Sequence, residues 1–140
     1  MKKILVIVLV LFLAGCVSTQ KMAIKPMLAT SEYFQTTAAG LIFSEKERGA
    51  EYVLLLKQVK PLSNTAHFEI FFENPRAKDM PISEARIIGP SSSLLSLSSP
   101  MISGFRRNHN YSATVKIYSD SSKKELLGTH VQLIRANKSY

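Results

Sequence analysis

A single cysteine, Cys16, is present in the chain, so no disulfide can close within it even in an oxidising compartment. Packing alone must hold the fold. Acidic residues are scarce, with 10 Asp and Glu against 18 Lys and Arg. Beyond Lys2-Lys3 the basic residues are scattered, and the close pairs are Arg106-Arg107 and Lys123-Lys124. A nucleic-acid interface wants a concentrated basic stripe, so nucleic acid is not an expected partner. Glycines occur singly, which leaves no phosphate-cradling loop, and no Gly-X-Ser-X-Gly elbow is present. The apolar run from Ile4 to Leu13 is ten residues long, well short of the roughly 20 that cross a bilayer.

That run has a context. Lys2 and Lys3 precede it, and Leu13-Ala14-Gly15-Cys16 closes it. Charged, apolar and small-residue regions in that order form a secretory signal peptide. The ending resembles the lipobox of bacterial lipoproteins, where a leucine and two small residues precede the cysteine. The resemblance implies cleavage between Gly15 and Cys16, a diacylglycerol on the Cys16 sulfur, and a fatty acyl chain such as palmitate on the new amine. Val17 resembles the outer-membrane default of Gram-negative sorting, in which an aspartate at that place retains the protein in the inner membrane. The expected location is the cell envelope, lipid-anchored, with the outer membrane facing the periplasm. Three regions are expected: the signal peptide at 1–15, a lipidated cysteine and flexible tether at 16–31, and a folded domain at 32–140. A flexible tether of 15 residues spans about 20 Å r.m.s..

Removing Lys2 and Lys3 from the 18 basic side chains leaves 16 against 10 acidic ones, a formal +6. Such a charge suits either a place beside anionic headgroups or wall polymer, or simple solubility.

From Glu32 onward short apolar runs alternate with turn residues, the signature of an all-β domain. Expected strands are Tyr33–Thr37, a short patch at Leu41–Phe43 beyond Gly40, and Tyr52–Val59. A charged turn at 44–51 separates the last two. Next come His67–Glu73, which Asn74-Pro75 ends, Ala85–Ile88, and a serine-rich edge strand within Ser91–Ser99. Tyr111–Tyr118 alternates cleanly, and Leu126–Arg135 pairs with it as a hairpin across the 119–125 loop. Leu127, Val131 and Leu133 share one face of the last strand. Ala136–Tyr140 is expected to fray.

Seven or eight short strands in about 110 residues point to a two-sheet antiparallel β-sandwich. Tyr111 opening its strand, with small or apolar residues at every second position, resembles the tyrosine corner of immunoglobulin and fibronectin type III domains. The resemblance implies an immunoglobulin-like sandwich in which the Tyr111 hydroxyl folds back onto the preceding connection. The antibody hallmarks of a tryptophan and a cysteine pair are missing.

Chemistry is sparse. His67, His109 and His130 lack metal-ligand spacing, so no metal and no cofactor beyond the lipid on Cys16 is expected. Glu69 and Glu73 on one strand face stand about 13 Å apart, too far for a glycosidase pair. His130 and Gln132 share a strand face as a candidate polar site, or as a partly exposed pair making local hydrogen bonds. In the Pro100–Asn110 connection Met101, Ile102 and Phe105 meet Arg106 and Arg107. These five are candidate partner-binding residues, an apolar tip with a basic flank; alternatively the apolar three cap the core and the arginines are solvated. No catalytic residue is assigned. The leading expectation is a non-catalytic lipoprotein serving an envelope protein partner. A module for an anionic glycolipid or cell-wall polymer is the alternative, and an inhibitor of a host enzyme ranks lower.

Overall fold

The computed structural model describes residues 26–87 and 93–140. The expected signal peptide, Cys16, most of the expected tether, Ile88 and the first residues of the serine-rich run lie outside them. Seven strands follow in order: β1 Phe34–Ser44, β2 Gly49–Gln58, β3 His67–Phe72, β4 Ile82–Ile87, β5 Leu94–Ser98, β6 Asn110–Tyr118 and β7 Leu126–Arg135. They form two antiparallel sheets, β1-β2-β5 and β4-β3-β6-β7. The chain changes sheet between β2 and β3, between β4 and β5, and again between β5 and β6. The fold is a two-sheet antiparallel β-sandwich.

Alternation makes the core. Tyr52, Leu54 and Leu56 of β2, Phe68, Ile70 and Phe72 of β3, and Tyr111, Ala113, Val115 and Ile117 of β6 are buried. Each lies two residues from the next, so one face of each strand points inward. Burying side chains of this size is worth about 1.5–3 kcal/mol apiece. β2 sits at the centre of its sheet, which explains why nearly every residue in its middle is apolar.

Four expectations are corrected. Gly40 does not interrupt a strand: Phe34–Thr37 of the first expected strand and Leu41–Phe43 belong to the single 11-residue β1, paired with β2 along its length. The real irregularity is a bulge between Thr36 and Ala38. β4 begins at Ile82, ahead of the expected Ala85. The face of β7 is the reverse of the apolar pattern, since Val131 and Leu133 are each 46 % exposed while His130, Gln132 and Ile134 are buried. The tail does not fray. Tyr140 N–H donates to Phe105 O at 3.0 Å, Gly104 N–H donates to Tyr140 O, and Ala136 is fully buried.

Register defines two ends. The turn at 45–48, the loop at 73–81, the connection at 99–109 and the tail at 136–140 gather at one of them, here the Phe105 end. The loops at 59–66 and 119–125 form the distal end.

Candidate functional site

Two places carry the residues singled out from the sequence. The first is the inward face of β7. His130 is fully buried, with Nδ1 2.8 Å from Ser31 Oγ and Nε2 2.8 Å from Thr36 Oγ1. Ser31 Oγ also donates to Phe34 O at 3.3 Å. With its one proton so used, Ser31 accepts from Nδ1–H, and Nε2 accepts from the Thr36 hydroxyl. Burial pushes the His130 pKa below its ordinary value, which keeps the ring neutral.

Gln132, 1 % exposed, completes a clamp. Its Oε1 accepts from Ala29 N–H at 2.8 Å, and its Nε2 donates to Met27 O at 3.0 Å and Leu133 O at 2.8 Å. The amide presents one acceptor and one donor to alternate backbone groups, so it stands in for a neighbouring strand. Residues 26–31 therefore lie in the seam between β1 and β7. They also turn back on β1, where Thr36 N–H donates to Ala29 O at 2.8 Å and Thr30 bridges Gln35.

His130 and Gln132 are thus buried partners of the N-terminal segment, which corrects their reading as a partly exposed pair. Both ring nitrogens and both amide protons are consumed inside the protein. The sequence carries no periodic signal for this, because the partners are hydroxyls: Thr36 on the inward face of β1 and Ser31 just ahead of that strand.

The second place is the Phe105 end. Phe105 is 1 % exposed and Ile102 5 %, which corrects the apolar tip. Phe105 sits among Tyr111, Tyr52 and Phe43 with ring centroids 5.0, 5.5 and 6.1 Å away. Ile102 exchanges both backbone hydrogen bonds with Ala50, and Met101 is half-buried. A Cβ on Gly49 would lie 2.6 Å from Ile102 O, so this close approach requires glycine. Arg106 and Arg107 remain exposed. The tyrosine corner is present: the Tyr111 hydroxyl accepts from Arg106 N–H at 2.8 Å. That bond fixes the backbone that carries the arginine.

Across from Arg106 stands the 73–81 loop. Asn74 Oδ1 accepts from Arg76 N–H at 3.1 Å, an Asx turn following the end of β3. Gly104, at φ 100°, lets the Arg76 stem lie close, because a Cβ there would meet Arg76 Cγ at 2.7 Å. The result is a groove of about 320 Å³ lined by Arg76, Lys78, Arg106, His109, Tyr111 and Glu73, with Pro75 and Asn110. The Glu73 carboxylate is engaged, its Oε2 accepting from Ser112 N–H and Oγ at 2.9 and 3.2 Å. Among the described residues, Arg76, Lys78 and Arg106 form no ion pair.

The remaining candidates lie apart. His67 is on β3 toward the distal end, His109 is exposed at the Phe105 end, and His130 is inside. Glu69 pairs with Lys123 and Glu73 with Ser112. Among the described residues no group of three His, Cys, Asp or Glu is placed to hold a metal ion, and no helix is long and apolar enough to cross a membrane.

Compared with protein-family models, curated proteins and solved structures, the chain shows no significant match to any.

Proposed function

We propose that the chain is a non-catalytic, lipid-anchored cell-envelope protein whose sandwich acts as a partner-binding or accessory module of an envelope assembly. The observation that carries this reading is Leu13-Ala14-Gly15-Cys16 closing a charged and apolar leader. The clamp on residues 26–31 supports it. Ten residue steps separate Cys16 from Pro26, so the fold is held within about 35 Å of the acyl chains at full extension. Each buried methylene of the lipid contributes about 0.8 kcal/mol, and several chains hold far more firmly than one.

Cys16→Ser tests the anchor. The variant should stay unprocessed and leave the detergent phase on phase partitioning. Unchanged size and partitioning would overturn the reading. Crosslinking in the envelope, followed by identification of what is captured, tests for the protein partner. A second reading, a module for an anionic glycolipid or wall polymer, is favoured by one observation, the cationic groove between Arg76 and Arg106.

A further inference from the structure

The direction of the clamped segment links the groove to the anchor. Ser31 meets His130, while Ala29 and Met27 meet Gln132. Going upstream, the segment therefore runs with β7, toward Arg135 and the Phe105 end. Pairing with β1 gives the same direction, since Thr30 opposes Gln35 while Pro26 and Leu28 border the Ala38–Gly40 stretch. The chain thus comes in from the side of Cys16 at the end where Arg76, Lys78 and Arg106 open to solvent.

We propose that this groove binds the phosphate of an anionic lipid headgroup, so that the sandwich rests with its Phe105 end on the bilayer holding the anchor. The inference rests on Cys16 being lipidated. Three observations carry it together. Arg76 and Arg106 come from different loops and face one concave site, an arrangement that suits the oxygens of one phosphate. The Arg76 stem lies against Gly104, and the Tyr111 hydroxyl holds the backbone from which Arg106 projects. The carboxylate in the lining, Glu73, has its Oε2 bound by Ser112 and is outnumbered by Arg76, Lys78 and Arg106. Exposed basic residues beside an anionic leaflet contribute roughly a five-fold shift each in the bound population.

Hydrogen–deuterium exchange on the full lipidated protein in vesicles tests this. Phosphatidylcholine vesicles are compared with vesicles in which part of the lipid is phosphatidylglycerol. Amides of 73–81 and 104–110 should exchange more slowly in the anionic vesicles alone. Raising the salt should remove the difference. Arg76→Gln with Arg106→Gln should also abolish it at unchanged Tm, by roughly 25-fold in the face-down population. Lys123→Gln with Lys124→Gln, at the distal end, should leave it intact. Equal exchange in both vesicle types would overturn the proposal. So would inorganic phosphate reproducing the protection on phosphatidylcholine while phosphatidylglycerol adds nothing, because the groove would then take free anions. Failure of the anchor reads differently: the protein would not float with phosphatidylcholine vesicles at high salt.

Discussion

The two ends of this sandwich are built from different materials. At the Phe105 end the connections are tied to one another by backbone. Ala50 pairs with Ile102, Asn108 N–H donates to Ala136 O, Ala136 N–H donates to His109 O, and Tyr140 pairs with Gly104 and Phe105. An aromatic cluster centred on Phe105 fills the space beneath. The distal end is held by local turns, ion pairs and two single cross-links, Val59 N–H to Tyr33 O and Thr65 Oγ1 to Ser119 O. Asp120 Oδ1 accepts from Ser122 N–H, Lys123 pairs with Glu69, and Lys60 pairs with Glu32. Charge does not separate them: segments 44–49, 73–81, 99–110 and 135–140 hold eight Lys and Arg against four Asp and Glu, and 57–66 and 119–125 hold four against two, the same two-to-one excess. A loop cross-braced by its neighbours can hold a side chain in one place, and a solvated hairpin loop cannot.

Breaking this contrast should give graded effects. Phe105→Ala removes the centre of the aromatic cluster and should cost about 3–5 kcal/mol, read by denaturant unfolding. A change below 1 kcal/mol would mean that the end is not braced through Phe105. Gln132→Ala leaves Ala29 N–H and Met27 O without the amide and should cost about 2–3 kcal/mol. It should also speed exchange at 27–31 while β2 and β3 keep their protection.

Acid should loosen the same clamp. Burial holds the His130 pKa below its unfolded value near 6.5, so the unfolded chain takes up the proton more readily. The stability that neutral His130 provides is complete above that value and is lost as pH falls through the folded pKa. An unfolding series across this range should show the decline, and His130→Gln should flatten it. Gly104→Ala, at φ 100° and against Arg76, should cost about 1–2 kcal/mol and displace Arg76 from the groove. The smallest effect belongs to the distal end. Lys123→Gln loses an exposed pair worth at most about 0.5 kcal/mol, and a larger loss would show that this end too is structurally coupled.

Most of the strands were readable because half-buried strands alternate, and β3 and β6 do so without exception on their inner faces; their order within the sheets was not. Tyr111 was legible for the same reason, with the added cue of a tyrosine opening its strand. What misled is equally physical. Gly40 looks like a break, yet a strand paired along its length tolerates one glycine. The inward face of β7 is polar at His130 and Gln132 because it packs against a segment with unpaired backbone groups. Periodicity measures hydrophobicity and cannot see a hydrogen-bonded core position. The groove was hidden because Arg76 and Arg106 are 30 residues apart in sequence, and only the sandwich brings them together. The docked tail escaped notice because five polar and small residues carry no pattern of their own.

The clamp on residues 26–31 has a mechanical consequence. On the proposed lipidation of Cys16, a pull on the lipid reaches the fold along the direction of β7, parallel to the strand. The bonds from Gln132, His130 and β1 to the segment are then loaded together in shear, and they pass the load on to β7 and β1. They act as a fuse. Under tension the segment should slip out first and lengthen the tether by about 3.5 Å per released residue, leaving the sandwich folded.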